Sequence, residues 1–399
     1  MSRAGDFRDP ALVKALVAEV RRDVEALGRP VTLMEVCGTH TVAVSRSGLR
    51  GLLRGFVDLR SGPGCPVCVT SGADLDRMVA VALTPGTVVV TFGDMVRVPG
   101  TVGTLEEARA AGADVRVVYS ADAAVRAAAD EPERLFVFLG VGFETTQPGV
   151  ALALREADRL GLENFCILSA HKTLPQALRA LIEPAAGGDA RGGDAPGGGR
   201  ADRPRLDGFI LPGHVSAVIG RRAYDFMADE YGLPGAVAGF EPVDILVAVR
   251  ELVRSVRAGR ARVLNLYSRV VREEGNPRAR AIVDRFFEPC PAEWRGLGTI
   301  AGSGLKLRPE WERFDASVRL RAALEDGVAR ARAAARRSGH DRLRRACRCG
   351  DVLRGELLPP ECPLFGRSCT PVRPVGPCMV STEGSCAAYY RYESRGERV

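Results

Sequence analysis

Eight short apolar runs alternate with helical patterns between Val31 and Phe240, and this alternation restricts the fold more than any other feature of the chain. Apolar runs of this kind are typical of parallel strands that are buried on both faces and joined by crossover helices. We therefore predict the α/β class, with two Rossmann-like parallel-sheet domains and a mainly helical, loop-rich C-terminal domain. The predicted strands are Val31–Val36, Phe56–Arg60, Thr87–Phe92, Val115–Tyr119, Leu135–Leu139, Phe165–Ser169, Leu206–Leu211 and Ala236–Phe240.

The same rhythm predicts the domain boundaries. We expect one α/β domain over residues 1–120, a second over residues 121–252, and a helical, cysteine-rich domain over residues 253–399, where strand-like runs are no longer found. A segment at about residues 185–205 is rich in Gly, Ala, Asp and Arg, and predicts a disordered insertion because it has nothing apolar to bury. With 399 residues, the chain is long enough for two or three hydrophobic cores.

Two helix starts are marked by capping residues. Asp9 precedes Pro10, and apolar residues then recur at helical spacing until Gly28, so an amphipathic helix is expected to open the chain. Thr104 and Glu107 have the spacing of a capping box.

Composition restricts the compartment and the classes of partner. The first residues contain no apolar signal region and no run approaches the length that crosses a bilayer, so we expect a cytoplasmic protein without membrane contact. Much of the net charge of +7 lies between Arg313 and Arg348. A solvated helix face explains such charge more often than nucleic-acid binding does. Eleven cysteines in a reducing compartment predict metal ligands or redox thiols.

The stretch from Met34 to Thr41 places Cys37 and His40 directly after the first predicted strand. Ligands in open α/β sheets bind outside the carboxyl ends of the strands, so a thiol and an imidazole there are candidate site residues. Cys37 is equally well explained as a small buried hydrophobic residue, and His40 as an ordinary turn residue. This stretch alone does not decide between the two interpretations.

A second cysteine motif, Cys65-Pro66-Val67-Cys68, also follows a predicted strand and precedes a helix that starts near Ser71. Free amides at a helix N-terminus lower the pKa of a thiol, and two intervening residues allow a small disulfide ring. Cys65 and Cys68 are therefore either a dithiol switch or half of a zinc site that Cys37 and His40 complete. The spacing slightly favours redox chemistry.

Two further candidates follow predicted strands. Glu144 lies in the glycine-rich stretch Gly140–Thr146, which matches neither the dinucleotide fingerprint nor a P-loop. His214 follows the strand Leu206–Leu211. A lone histidine is more often structural than functional, but histidines after several strands indicate that two domains face one cleft.

The C-terminal region contains six cysteines, of which four have spacings of 14, 6 and 16 residues between them. Four thiolates in a loop-rich segment are typical ligands of a [4Fe-4S] cluster. A four-cysteine zinc site satisfies the same count, but zinc sites usually contain close Cys-x2-Cys pairs, so the cluster is preferred. Cys349 and Cys378 are left without a role. The predicted ligands are Cys347, Cys362, Cys369 and Cys386.

Together these motifs resemble the HypD family of hydrogenase maturation factors, and the resemblance extends over essentially the whole chain. No single motif identifies the family, but their joint order is highly specific. The matching stretches are Cys37–His40, Gly62–Cys68, Gly142–Thr146, Pro212–Ser216 and Glu383–Tyr390.

The resemblance implies a role in building the Fe(CN)2CO unit of [NiFe]-hydrogenase. It implies a complex with the small chaperone HypC, delivery of cyanide by HypE, an indirect contact with the hydrogenase large subunit, and a [4Fe-4S] cluster bound by the four tail cysteines. Glu144 and His214, which lie in two of the shared motifs, join the expected catalytic residues. No standard reaction class follows from the resemblance.

The resemblance also implies roles for the N-terminal residues. Cys37 matches the iron-binding cysteine of the family, and a thiolate suits a soft, electron-rich iron. His40 would orient that thiolate or move a proton. Cys65 and Cys68 would provide a two-electron thiol/disulfide couple, whereas the cluster transfers single electrons. Many members have a second histidine where this chain has Val42, so a mechanism that requires two imidazoles here is in doubt.

Two other functions fit the same residues. The chain could be a [4Fe-4S]-dependent reductase of a disulfide in a partner protein. It could also be a zinc-stabilised module that binds nucleic acid through its basic helix. Metal analysis separates the zinc module from the iron scaffold and the reductase, which both contain iron. Infrared spectra separate the iron scaffold from the reductase.

Overall fold

The structure is a computed structural model that describes residues 6–183, 205–338 and 341–393. All eight predicted strands are present within two residues of their expected bounds, which confirms the α/β class. The predicted insertion at residues 185–205 lies outside the described residues, apart from its last residue. In chain order the strands are β1 Val31–Glu35, β2 Val57–Ser61, β3 Thr87–Thr91, β4 Asp114–Val117, β5 Leu135–Gly140, β6 Phe165–Ser169, β7 Gly208–Pro212, β8 Gly235–Ala238, β9 Val263–Asn265, β10 Phe287–Trp294 and β11 Gly298–Leu307.

Two parallel sheets form the centre of the fold. The first has five strands in the order β2–β1–β7–β8–β9, and Leu33 of β1 pairs with Leu59 on one side and Gly208 on the other. The second has four strands in the order β4–β3–β5–β6. Both sheets are Rossmann-like, because their parallel strands are joined by helical crossovers.

The boundary predicted at residue 120 between the two α/β domains does not separate the two sheets. The first sheet combines β1 and β2 with β7–β9, whereas the second consists of β3–β6 alone. The predicted boundary at residue 253 also falls too early, because β9 belongs to the first sheet. Apolar runs show which residues form strands, but strand pairing depends on contacts between distant segments, which periodicity does not reveal.

The helices surround these sheets and fill the C-terminal region. They are α1 Pro10–Leu27, α2 Gly38–Arg46, α3 Leu49–Leu52, α4 Pro66–Val69, α5 Gly72–Ala82, α6 Leu105–Ala110, α7 Ala121–Asp130, α8 Gln147–Arg159, α9 Leu174–Ile182, α10 Gly213–Ile219, α11 Phe226–Asp229, α12 Pro242–Arg257, α13 Pro277–Phe286, α14 Ala316–Arg319, α15 Arg321–Ser338, α16 Asp341–Arg345, α17 Cys349–Leu353, α18 Pro377–Val380 and α19 Ser385–Ala388.

The two helix starts predicted from capping residues are confirmed. Asp9 accepts a hydrogen bond from the amide of Ala11 at 2.8 Å, and α1 ends at Gly28, whose φ of 77° suits glycine. At α6 both hydrogen bonds of the capping box between Thr104 and Glu107 are present.

Each sheet is covered by helices on both faces. α1 and α12 pack together against one face of the first sheet. α5 and α6 cover one face of the second sheet, and α7 and α8 cover the other. The remaining face of the first sheet shares a buried core with α9, in which Met34 and Phe209 lie with Leu178. This shared core holds the two sheets in a fixed relation.

The C-terminal region contains an antiparallel hairpin, β10–β11, that the sequence patterns did not predict. β10 contains Pro289 and Pro291 and is buried only at its two ends, with half-buried and exposed residues alternating between them, and β11 contains several glycines. Proline and glycine weaken a strand prediction, which explains the omission. Across the described residues, no helix has both the length and the apolar character needed to cross a membrane.

Candidate functional site

The candidate site lies at the carboxyl end of the first sheet, where the loops after four parallel strands meet. β1 leads to Cys37 at the N-cap of α2, and β2 leads to Cys65 at the N-cap of α4. β7 leads to His214 in the first turn of α10, and β8 leads to Phe240. The fold therefore brings together motifs that are far apart in sequence.

Cys37 is buried, with 7% of its surface exposed. The pKa of its thiol is raised to about 12, chiefly by burial, with smaller contributions from the carboxylates of Glu383 and Glu35. The backbone amides of His40 and Thr39 act in the opposite direction. Cys37 is therefore a neutral thiol in the free protein, and a bound metal ion would displace its proton.

Glu35 lies directly beneath Cys37 and is fully buried. One carboxylate oxygen accepts the amide N–H of Cys37 at 3.2 Å, and the other accepts the Thr41 hydroxyl at 2.6 Å. Burial raises the pKa of Glu35 to about 7. The sequence patterns did not single out Glu35, although a carboxylate inside an apolar strand was a signal that could have done so.

His40 is buried beneath the loop after β8. Its Nε2 lies 2.9 Å from the carbonyl oxygen of Gly239, so Nε2 carries the proton and Nδ1 is an acceptor. Nδ1 is buried and has no hydrogen-bond partner among the described residues. Burial lowers the pKa of His40 to about 4, which keeps the ring neutral at pH 7.

His214 is exposed, and its ring lies on the side chain of Phe240. The ring centroids of His214 and His40 lie 4.1 and 4.8 Å from that of Phe240. Burial of part of its side chain lowers the pKa of His214, and Glu383 acts in the opposite direction. The two histidines therefore lie on one aromatic residue, one accessible to solvent and one enclosed.

The C-terminal tail reaches the same site through Glu383. The Thr39 hydroxyl donates to the Glu383 carboxylate at 2.7 Å. A Cβ at Gly38 would lie 2.6 Å from the Cβ of Glu383, so only glycine fits at this position. The sequence patterns did not predict Glu383 as a site residue, although it lies only three residues before Cys386.

Cys65 and Cys68 form a disulfide. The pairing favours the dithiol interpretation over a zinc site shared with Cys37 and His40. The Gly38 amide donates to the Gly64 carbonyl at 3.0 Å, which places the dithiol segment against the backbone of the Cys37 loop.

All six tail cysteines line one cavity. The amide of Val375 donates to the sulfur of Cys369 at 3.3 Å. No set of three or more His, Cys, Asp or Glu side chains is arranged to hold a metal ion in the part of the chain that the structure describes. The lining sulfurs are those of Cys347, Cys349, Cys362, Cys369, Cys378 and Cys386.

Cys349 and Cys378 form a second close pair, which the sequence patterns did not find. Their sulfurs lie 2.8 Å apart, and both residues are buried. Hydrogen bonds from Cys347 and Cys378 hold the pKa of Cys349 well below its usual range. Both cysteine pairs lie in one apolar core, in which α18 packs against α4.

Glu144 is not part of this arrangement. One of its carboxylate oxygens accepts the Leu174 amide at 2.9 Å, and its side chain lines a separate cavity. The structure therefore brings together Cys37, His40 and His214, and it places Glu144 elsewhere. The roles predicted for all of these residues stay predictions.

Comparison with known proteins agrees with this arrangement of motifs. Residues 11–393 match the family model described as "HypD: Hydrogenase formation hypA family". The chain belongs to the HypD family. It is 44% identical to the hydrogenase maturation factor HypD of Rhodobacter capsulatus over 98% of both chains. It is 41% identical to the protein of that name from Escherichia coli, again over 98% of both chains.

A third relative gives the same result. The hydrogenase maturation factor HypD of Azotobacter vinelandii is 43% identical over 100% of this chain and 99% of its own length. The family resemblance predicted from the motifs is therefore confirmed, and it includes the cysteine-rich tail.

Proposed function

We propose that this protein is a maturation factor for [NiFe]-hydrogenase and that the Fe(CN)2CO unit is assembled on Cys37. The observation that carries the proposal is the buried thiol of Cys37, which lies in the loop that contacts the Cys65–Cys68 disulfide segment through Gly38 and Gly64. The same loop carries His40, whose buried Nδ1 has no hydrogen-bond partner among the described residues. The relatives are named as hydrogenase maturation factors, which supports the same role.

In this proposal Cys37 anchors the incoming iron. Iron that carries cyanide and carbon monoxide is soft, and a thiolate is a suitable ligand for it. Binding requires the thiol to lose its proton, and His40 Nδ1, which has no hydrogen-bond partner among the described residues, is a neutral acceptor in the same buried region. Because the pKa of His40 is about 4, the imidazole would hold this proton only transiently at pH 7. Glu35 keeps the Cys37 backbone in position through the amide hydrogen bond.

The two cysteine pairs supply reducing equivalents. Reduction of the Cys65–Cys68 disulfide takes up two electrons and two protons and gives two thiols, and oxidation of this dithiol back to the disulfide releases the two electrons and two protons again. The close pair of Cys349 and Cys378 lines the tail cavity and lies in the same apolar core as this disulfide. Electrons can therefore pass from the tail to the Cys37 loop without crossing solvent.

The tail cysteines have a donor set that fits a [4Fe-4S] cluster. In a cubane each cysteine binds a different iron, so sulfurs spread around one cavity are suitable, whereas zinc requires donors that converge on one point. An amide that donates to a ligand sulfur, as Val375 does to Cys369, is typical of such sites. Bound there, the cluster would supply electrons one at a time. The proposed ligands are Cys347, Cys362, Cys369 and Cys386.

The proposal includes partners. A HypC-type chaperone would hold the iron from its open side, a HypE-type protein would deliver cyanide, and the hydrogenase large subunit would receive the product indirectly. The exposed imidazole of His214 and the carboxylate of Glu383 border the opening that such partners would cover. A cytoplasmic location suits thiols that must be reduced repeatedly.

A second candidate function is reduction of a disulfide in a partner protein. The two cysteine pairs in one core favour it, because the same relay of electrons would serve a disulfide at the protein surface. This function requires no iron at Cys37, which separates the two candidates.

The test is infrared spectroscopy of anaerobically purified protein that has been co-expressed with a HypC-type chaperone. We expect cyanide and carbonyl stretches in the complex and their absence from the Cys37→Ala variant. Metal analysis should find about four irons in the variant and at least one more in the parent complex. A complex without these stretches that nevertheless reduces protein disulfides would establish the second function instead.

A further inference from the structure

A cavity of 360 Å³ lies between the helices of the two sheets and under the β10–β11 hairpin. Its walls come from the starts of α8 and α9, the end of α10, and one face of α13. Of the candidate site residues, Glu144 lines this cavity, and the residues around Cys37 do not. The residues that matter for its chemistry are Glu144, Gln147, Thr173, Arg280, Asp284 and Leu305.

The inner end of this cavity is formed by two buried polar side chains. Glu144 is 5% exposed and Gln147 is 3% exposed. The amide of Gln147 donates to the carbonyl of Lys172 at 2.9 Å. One oxygen of Glu144 accepts the amide at the start of α9, but Oε2 is buried without a hydrogen-bond partner among the described residues. Buried polar atoms are nearly always paired, so this oxygen needs an explanation.

The rest of the cavity is apolar inside and charged at its mouth. Val218, Ile219 and Leu305 line the walls. Arg280 and Asp284 are exposed and lie one turn apart on α13, where Asp284 offsets the positive charge. Arg280 donates to the carbonyl of Glu274. The cavity thus has apolar walls, a charge-balanced mouth and, among its buried lining residues, a carboxylate with one oxygen that is unpaired within the described part of the chain.

We propose that this cavity binds the cationic end of an aliphatic chain, an alkylguanidinium or alkylammonium group, with Glu144 Oε2 as its anionic partner. Such a group fills an apolar passage with methylene groups and ends in donors that an unpaired carboxylate oxygen can accept. The cation is either a free small molecule or the arginine or lysine side chain of a partner protein. The proposal does not depend on iron assembly at Cys37.

The electrostatics of Glu144 support a cation over a neutral ligand. Burial raises its pKa to about 7, and the backbone amides of Glu144 and Leu174 act in the opposite direction. No positively charged side chain among the described residues adds to that opposing effect. The ionised carboxylate therefore lacks a counter-charge, and a buried charge is stabilised mainly by a paired opposite charge. A ligand cation would provide it.

Calorimetric titration of the full chain with butylguanidinium tests the proposal. N-butylurea has nearly the same shape without the charge, and we expect it to bind about tenfold more weakly or not at all. Glu144→Gln keeps an oxygen for the amide of Leu174 and replaces Oε2 by a donor, so it should weaken butylguanidinium binding at least about tenfold. Glu163→Gln, at an exposed carboxylate, is the matched control and should bind as the parent does.

Further measurements keep the test decisive. If Glu144→Gln proves unfolded, Ala223→Phe fills the cavity from another wall and should also abolish binding. A short peptide with one arginine that binds more tightly than butylguanidinium would support a partner side chain, and the reverse would support a small molecule. If neither butylguanidinium nor the arginine peptide binds, the proposal is overturned. It is also overturned if N-butylurea binds as tightly as butylguanidinium. Iron loading at Cys37 is measured on the same preparations, so each proposal fails separately.

Discussion

Gly64 lies against the backbone of Cys37, so closely that a Cβ at residue 64 would overlap with the Cys37 amide nitrogen. The Gly38 amide also donates to the Gly64 carbonyl at 3.0 Å. The loop that carries the thiol and the loop that carries the disulfide are therefore joined backbone to backbone.

This contact predicts the effect of Gly64→Ala. The methyl group has no space, so the two loops must separate, and the free energy of unfolding should fall by about 1–3 kcal/mol. Gly51→Ala is the control, because nothing lies within 4 Å of a Cβ at that position. Urea denaturation measures both variants. Equal stability of the two variants would contradict the close approach.

Removal of the Cys37 thiol should separate iron loading from folding. Cys37→Ala is expected to keep the fold and the tail cofactor, because the thiol has no role in the tail, and to lose the cyanide and carbonyl stretches. Cys166→Ala, at a fully buried cysteine of the second sheet, is the control and should retain them. Retained stretches in Cys37→Ala would refute Cys37 as the anchor.

Removal of a proposed cluster ligand should affect the tail. Cys362→Ala is expected to lose brown colour and most bound iron and sulfide, because a cubane needs its full set of ligands. The segment that lines the tail cavity, residues 347–386, should then become sensitive to limited proteolysis. Cys290→Ala removes a cysteine outside the tail cavity and should keep its iron. An iron content unchanged by Cys362→Ala would exclude Cys362 as a ligand.

The buried carboxyl of Glu144 predicts a dependence of stability on pH. Its pKa rises from 4.5 to about 7 on folding because of burial. The folded state thus favours the protonated form, and the wild type loses stability as the pH rises from about 4.5 to about 7. Glu144→Gln removes this loss, so its stability relative to the wild type should increase by on the order of 3 kcal/mol across that window.

Denaturation of both proteins between pH 4.5 and pH 8 measures this difference, with Glu163→Gln as the surface control. The difference should level off above pH 7. A difference between Glu144→Gln and wild type that does not change with pH would show that the carboxyl is solvated in the folded protein.

The strands and the first site residues could be predicted because the relevant signals are local. Apolar runs revealed β1–β8, and the positions of Cys37 and His40 directly after β1 indicated a site at a strand end. Pairing of strands is not local. The hydrogen bonds between β1 and β7 join residues that are separated by the whole second sheet, and no period in the sequence records them.

The missed residues have the same explanation. Glu35 joined the candidate site because its carboxylate accepts the Cys37 amide, and Glu383 because its carboxylate accepts the hydroxyl of Thr39, which is far away in sequence. Cys349 and Cys378 are separated by a loop whose path brings their sulfurs together. The contacts of Glu383 and of the Cys349–Cys378 pair depend on the complete fold, whereas Glu35 is only two residues from Cys37 and could have been noticed as a carboxylate in an apolar strand. The cysteine spacing in Cys65-Pro66-Val67-Cys68 already contains its own partner.

The strand order also determines when the protein can become active during its synthesis. β1 and β2 leave the ribosome first, but a pair of strands is not stable alone, and β1 obtains its second neighbour only when Gly208 has been made. β3–β6 are contiguous and can close their sheet earlier. A nascent chain stalled before β7 should therefore protect the second sheet from proteases while Cys37 still reacts with alkylating reagents. The iron binding proposed for Cys37 would then be restricted to chains that have been translated at least that far.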